Sequence, residues 1–271
     1  MMETGKEAGS LLHKFVALNR SLSRGLYLMA ERVTSRRPGV VDFERNVVPG
    51  LLFPNARVLD VGGGKYPIID VQTKRALNLY VVGLDISADE LARAPADAYD
   101  KVIVGDVTTA PIRERFDLIL SRTLLEHVPD TSRAIATLAS ALDEGGTMAH
   151  YIPCRRALFA ALSRCMGPEM SRSVLFRIYP EKRSSGGFPA YYDRCIPSEM
   201  ARLCRECGLQ VETRAYFESE YFNFFAPLYA LELLRQLTMM WLKAEDFAET
   251  FVVIARKGDE LAKMALLSRA A

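Results

Sequence analysis

From Arg57 onward the chain alternates short aliphatic, β-branched runs with longer segments of helical period, and that alternation leaves few folds open. Strands are expected at Val58–Val61, Tyr80–Leu84, Lys101–Val104, Phe116–Leu120 and Thr147–Tyr151, with two more at Leu209–Tyr216 and Thr250–Arg256. Helical patterns fall between them at Ile68–Leu77, Ala88–Ala94 and Ser132–Leu142, and again at Pro197–Cys207. Strand and helix in alternation require right-handed crossovers, hence an α/β fold with a doubly wound, mostly parallel sheet of seven strands. The runs are apolar throughout rather than alternating, as expected when helices cover both faces of the sheet.

The flanks follow different rules. Apolar residues at 11, 15, 18, 22, 26, 29 and 33 recur in steps of three and four, the mark of an amphipathic helix that Arg36-Arg37-Pro38-Gly39 terminates. It is expected to pack on the main domain. Residues 154–195 are basic, rich in Arg, Tyr, Gly and Pro, and hold no clear strand. The organisation expected is therefore a helical cap over 1–56, an α/β core over 57–153, an inserted lid over 154–195, and completion of the sheet over 196–271. Within the last part, 221–242 is aromatic-rich. Its sparse lysine favours core packing or a partner, such as a second copy, over a peripheral lipid contact.

Charge is unevenly spread. The net of +2 divides into +4 over 1–57, −5 over 58–150, +5 over 151–195 and −2 over 196–271. No domain is strongly basic and no RNA-binding motif is present, which argues against a nucleic-acid partner. The five cysteines are odd in number, and the opening "MMETGKEAGS" lacks an apolar signal region. A reducing, cytoplasmic setting is expected rather than a disulfide framework. Cys204-x-x-Cys207 has no second ligand pair, so no metal site is expected. The most apolar segment, Tyr221–Leu242, carries Asn, Pro, Glu, Arg and Gln, and no transmembrane helix is expected.

Ligands of an open parallel sheet bind beyond the C-terminal ends of its strands. The first expected strand runs into Asp60-Val61-Gly62-Gly63-Gly64. A nicotinamide fingerprint would need a third glycine where Pro67 stands, and a phosphate loop would need a different spacing and a hydroxyl after Lys65. The glycines alone do not choose a ligand. Asp85 follows the second strand, Asp106 the third and "LSRTLLEHV" the fourth. A strand-end carboxylate suits a ribose diol, and the acidic core suits a cationic ligand better than a pyrophosphate.

With "VLDVGGG", "VVGLDIS", "GDV", "FDLILSRTLLEHV" and "LDEGGTMAHYIP" in this order, the chain resembles the class I S-adenosylmethionine-dependent methyltransferases, closely over 57–153 and loosely over 196–257. The resemblance implies a Rossmann-like fold and S-adenosyl-L-methionine as methyl donor, with S-adenosyl-L-homocysteine as product. It implies that Asp60 and the backbone of Gly62, Gly63 and Gly64 hold the methionine end. Asp85 would hold the ribose, with Ile86 packing on adenine; Asp106 would meet the adenine amine, with Val107 beside it; Ser121 and Arg122 would line the methionine side. Tyr66, where the family often has glycine, departs from the pattern. The region "YPEKRSSGGFPAYYDRCIPSEM" more loosely resembles methyltransferases of bacterial surface-glycan pathways.

Methyl transfer mainly needs donor and acceptor held in line, and an acceptor hydroxyl benefits from a base. Of the three histidines, His13 falls in the N-terminal helix. His150 ends the fifth strand on the ligand side and is the first candidate base. His127, in "LLEHVPD", has either a catalytic or a structural reading. Tyr192, within "AYYDR", is a candidate for the acceptor pocket. The +5 insertion favours a small anionic acceptor. A saccharide or glycolipid hydroxyl is the acceptor expected first, with a phenol, quinone precursor or lipid as the rival. A non-catalytic cofactor-binding scaffold is the alternative of another kind, and a nicotinamide oxidoreductase is disfavoured by Pro67.

Overall fold

The computed structural model describes residues 3–34, 36–178 and 188–258. All seven strands form: β1 (Arg57–Val61), β2 (Tyr80–Asp85), β3 (Lys101–Val104), β4 (Phe116–Arg122), β5 (Leu142–Pro153), β6 (Leu209–Tyr216) and β7 (Thr250–Lys257). They lie in one sheet in the order β3-β2-β1-β4-β5-β7-β6. The first five are parallel to their neighbours and β7 runs antiparallel to β5, so the sheet is mixed. The order reverses between β1 and β4. The crevice outside their C-terminal ends is where such a sheet binds its ligand.

The fifth strand begins five residues earlier than the expected Thr147, and "DEGG" is a bulge inside it. Phe116 pairs with Leu142 and Leu118 with Thr147, so Asp143–Gly146 are looped out, with Gly145 left-handed at φ 76°. Central strands are buried on both faces through their middles, as at Val58, Leu59, Leu118, Ile119 and Phe251 to Ala255. Each such aliphatic side chain contributes about 1.5–3 kcal/mol. The expectation of two covered faces fails at β3, where Val102 and Val104 are about half exposed. The strand is a sheet edge, and the short, five-residue α5 (Ala88–Ala92) packs on its neighbour β2.

The remaining helices are α1 (Glu3–Val33), α2 (Gly39–Asp42), α3 (Val48–Leu51), α4 (Val71–Ala76), α6 (Thr131–Ala141), α7 (Leu158–Met166), α8 (Pro168–Ile178), α9 (Pro197–Glu206) and α10 (Ala226–Trp241). A π-helical turn, Phe43–Val47, joins α2 to α3. The caps follow the sequence: Asp70, Ser87 and Asp130 accept the N–H three residues on at the starts of α4, α5 and α6, and α9 opens on Pro197 and is followed by left-handed Gly208. The basic insertion holds α7 and α8. Its stretch 179–187, "YPEKRSSGG", lies outside the described residues.

The chain gathers into two units. One comprises Gly39–Arg155, Phe188–Ala215 and Thr250–Ala271, so far as they are described, and contains nearly all of the sheet. The other comprises Met1–Pro38, Arg156–Gly187 and Tyr216–Glu249, on the same terms. In this second unit α1 and α10 share a small core of Ala30, Tyr229 and Leu233, with Leu26, Tyr27 and Leu237 against it. The expected apolar stripe is not the buried face: Phe15, Leu18, Leu22 and Met29 are half exposed or more. Buried Asn19 and Ser23 explain the difference. Asn19 Oδ1 accepts the Ala226 N–H, capping α10 from outside, and Ser23 Oγ donates to the Asn223 carbonyl. Capping therefore turns a polar strip of α1 inward. The side chain of His13 lies outside the described residues. No described helix is long and apolar enough to cross a membrane.

Candidate active site

The turn after β1 is built on Asp60, whose side chain is wholly enclosed. Its Oδ2 accepts the Ile68 N–H at 2.8 Å and, more weakly, the Tyr99 hydroxyl at 3.4 Å. Its Oδ1 is buried with no partner. Burial pushes the carboxyl up to about 6, against the Ile68 N–H and the Arg122 charge, which favour its ionised form. The same Tyr99 hydroxyl donates to the Gly64 carbonyl at 3.2 Å, so Tyr99 braces the loop from below.

The glycines are demanded by this packing. A Cβ on Gly62, at φ 73°, would sit 2.7 Å from Leu124 Cδ1. One on Gly63 would come within 2.5 Å of the Tyr99 hydroxyl and 2.6 Å of Asp60 Oδ2. Gly64 is left-handed, and a Cβ there would meet Asp85 Oδ2 at 3.1 Å. The loop thus lies directly against the second strand-end carboxylate.

Asp85 is half-buried, and its Oδ1 accepts the Ser87 N–H at 2.9 Å. Ser87, not Asp85, caps α5, so a capping role does not explain Asp85. Burial raises the Asp85 carboxyl, with the Ser87 N–H opposing. Beside it Ile86 is 60% exposed, an apolar surface available to a planar ring. Asp106 Oδ1 accepts from both the backbone and the hydroxyl of Thr108 at 2.8 Å, a local turn that employs one of its two oxygens. Val107 is buried.

A cavity of about 110 Å³ opens over the turn, lined by Gly62, Gly63, Tyr66, Ile68, Arg122 and Thr123. Arg122 is held by the Tyr66 carbonyl at 3.2 Å and by Glu44 of the π-helical turn. Tyr66, which the motif pattern left unexplained, is a wall of this cavity, with Lys65 Nζ 5.2 Å from its ring centre. Ser121 does not line it. It is fully buried, with its Oγ 2.7 Å from His150 Nδ1, and the two residues are register partners on β4 and β5. His150 is equally enclosed, its Nε2 buried without a partner, and burial alone depresses it to about 4. The pair is neutral and buried in the sheet.

His127 lies in a single 3-10 turn, Leu125–His127, after β4. Its Nδ1 is 2.9 Å from the Pro189 carbonyl, and the Phe188 ring meets it edge-on at 6.3 Å. Burial lowers its basicity, with the Pro189 carbonyl opposing. Glu126 beside it is buried, its Oε2 unpartnered, and desolvation pushes it up to about 8. Tyr192 is buried at φ 53°, whereas Tyr191 is half exposed; both donate their backbone N–H to the Glu126 carbonyl. Among the described residues no group of three or more His, Cys, Asp or Glu side chains is placed to hold a metal ion.

The residues missed in the sequence are Tyr99, Tyr66, Ile68, Thr123 and Glu44. Tyr99 had one available signal: Gly83 in β2, whose Cβ would meet the Tyr99 ring at 3.0 Å, is a glycine interrupting an apolar strand.

Comparison with known proteins agrees with this architecture. Residues 33–214 match the model of the methyltransferase domain family. A curated relative in Aromatoleum aromaticum, named ubiquinone biosynthesis O-methyltransferase, is 29% identical over 161 residues, covering 57% of this chain and 64% of the relative. A protein of the same name in a Bradyrhizobium species is 33% identical over 111 residues, covering 39% of this chain and 43% of its own. The matches thus span less than two thirds of these relatives' length. An S-adenosylmethionine-dependent methyltransferase structure from Mesorhizobium loti superposes with a TM-score of 0.52 at 20% identity, over 79% of this chain and 97% of that one, a likeness of fold. With a family match over most of its length and the strand order that goes with it, the chain belongs to the class I S-adenosylmethionine-dependent methyltransferases.

Proposed function

We propose that this protein binds S-adenosyl-L-methionine at the ends of β1, β2 and β3 and transfers its methyl group to a hydroxyl of a small acceptor. The observation that carries the reading is Asp60 Oδ1, an orphaned buried carboxylate oxygen under a glycine cradle. An ammonium would satisfy it. Such an atom otherwise costs about 1–3 kcal/mol. When bound, the sulfonium supplies a methyl carbon already activated for displacement.

The remaining work falls to this chain's side chains. Asp60 and the Gly62–Gly64 backbone hold the amino acid end. Arg122 offers its charge to the carboxylate, in competition with Glu44. The Asp85 oxygen beside Gly64 takes the ribose hydroxyls, and Ile86 and Val107 flank the adenine, with the second oxygen of Asp106 for its amine. Ser121 and His150 support the site from within the sheet, since an enclosed, weakly basic imidazole has no access to an acceptor. His127, at the surface of the same strand-end cluster, is the better placed base. We keep 154–195 as the acceptor lid and 1–56 as the cap of this reading.

For the acceptor, the relatives' shared name favours a phenolic quinone precursor over the saccharide expected from the loop's looser resemblance to glycan-pathway methyltransferases. The basic insertion is compatible with an anionic group on it. A methyl-transfer screen with labelled donor across catechols, sugar nucleotides and lipid-linked sugars tests both parts. Labelling of catechols alone is the expected result. Labelling of sugars alone would reverse the acceptor assignment, and no labelling despite donor binding would favour a cofactor-binding scaffold.

A further inference from the structure

His127 is held by one element that the cofactor site does not use. The segment 188–196 runs back over the turn after β4 and is fastened there by its backbone. The Tyr191 and Tyr192 N–H groups donate to the Glu126 carbonyl at 2.7 and 3.0 Å. The Thr131 N–H donates to Asp193 Oδ2 at 3.0 Å, and the Thr131 hydroxyl to the Asp193 carbonyl at 2.6 Å. The Arg155 N–H donates to the Cys195 carbonyl at 2.7 Å. Tyr192 and Arg194 are both left-handed, at φ 53° and 50°. Non-glycine residues accept that conformation, at about 1–3 kcal/mol each, only where surrounding bonds over-determine it. The segment is therefore a strap, held in a strained path by five hydrogen bonds to the turn, α6 and the end of β5.

Its contact with His127 has a chemical consequence. A carbonyl oxygen only accepts, so the 2.9 Å contact from His127 Nδ1 to Pro189 O requires the proton on Nδ1. The neutral ring then carries its lone pair on Nε2. Glu126 Oε1 lies 3.8 Å from Nε2, beyond hydrogen-bond reach. An imidazole free to turn or to exchange tautomers would present a competent nitrogen only part of the time.

We propose that the strap 188–196 is a positioning device for His127, fixing the ring with its proton on Nδ1 and leaving Nε2 as base for the acceptor hydroxyl. The proposal rests on the methyl-transfer reading. In the step it serves, the acceptor oxygen bonds to the methyl carbon as the carbon–sulfur bond breaks. The electron pair of that bond stays on sulfur, the hydroxyl proton passes to Nε2, and solvent later removes it. Pro189 contributes a backbone atom, so the control lies in the residues that fasten the strap, above all Thr131 and Asp193.

The test is ring nitrogen-15 NMR of His127 in the intact protein, with Thr131→Val and Thr131→Ser alongside. Thr131→Val keeps the shape of a fully buried side chain but removes the hydroxyl donor to the Asp193 carbonyl, leaving the backbone N–H in place; Thr131→Ser restores the hydroxyl. In the wild type the neutral ring should be protonated on Nδ1. Thr131→Val should give a tautomer mixture and lower kcat at least tenfold, with donor affinity unchanged, and Thr131→Ser should recover both. Protonation on Nε2 in the wild type would overturn the proposal. So would a Thr131→Val protein with unchanged tautomer and unchanged kcat. The ring signal needs no turnover and donor binding is read separately by calorimetry, so a failure of the methyl-transfer reading shows itself independently.

Discussion

Asp85 and His150 were singled out for the same reason, as polar residues at strand ends on the ligand side, and the structure separates them. Asp85 keeps one oxygen beside the glycine loop, and its removal has a defined cost. Asp85→Ala should weaken S-adenosylmethionine binding at least tenfold, because charge-assisted hydrogen bonds are worth about 1.5–3 kcal/mol. Calorimetry on the variant checks this, and unchanged affinity would remove the ribose role. His150 instead points into the sheet. A pattern of one residue type per strand end cannot distinguish the two faces of a pleat, where successive side chains point opposite ways. Its folded-state basicity is depressed from 6.5 to about 4, so the stability it supports is present above pH 6.5 and is lost as pH falls toward 4. His150→Gln, which cannot titrate, should flatten that part of the stability-against-pH curve by roughly 1–3 kcal/mol. Urea unfolding at pH 7 and pH 4.5 measures it, and parallel curves would contradict the burial argument.

At the scale of elements, periodicity located strands and the helices between them because burial on the sheet dominates their residue choice. It failed where another element supplies the chemistry. Residues Asn19 and Ser23 make α1 bury a polar strip because the N-cap of α10 is Phe225, which offers no side-chain cap. The strap 188–196 has no period at all, and its path is set by backbone bonds that no side-chain pattern announces. Two predictions belong here. Gly62→Ala should cost about 1–3 kcal/mol, since it forces both a left-handed φ and a 2.7 Å contact with Leu124. Chemical denaturation reads this directly, and a neutral result would mean that the turn after β1 relaxes freely. In the α1–α10 unit, Arg235 bonds Glu232 at 2.7 and 2.8 Å and also reaches Glu249; both carboxylates are buried. Arg235→Met leaves buried Glu232 without its counter-charge and should lower stability by about 3 kcal/mol. Burial raises Glu249 toward its neutral form, so the cost falls on Glu232, and a loss under 1 kcal/mol would contradict its dependence on Arg235.

For the whole molecule, the fold class was legible in the sequence because strands and helices in alternation leave a mostly parallel sheet covered by helices, whereas the order of the strands and the antiparallel β7 emerge only in the structure. The proposed cofactor end rests on three carboxylates at successive strand ends, a pattern the sequence shows directly. The acceptor end was not legible there. A loose resemblance of one loop region to glycan-pathway methyltransferases suggested a saccharide, whereas the curated relatives share a name from ubiquinone biosynthesis. Substrate walls are set by the three-dimensional course of irregular segments, which charge counts do not describe. The central claim is that the strand-end cluster is a methyl-donor site. Calorimetry of the intact protein with S-adenosyl-L-methionine, S-adenosyl-L-homocysteine and NAD tests it most directly. Binding should be seen with the first two and not with NAD, weakening below pH 6 as Asp60 takes up a proton and can no longer offer its charge to an ammonium. Binding of NAD, or of none of the three, would contradict the account.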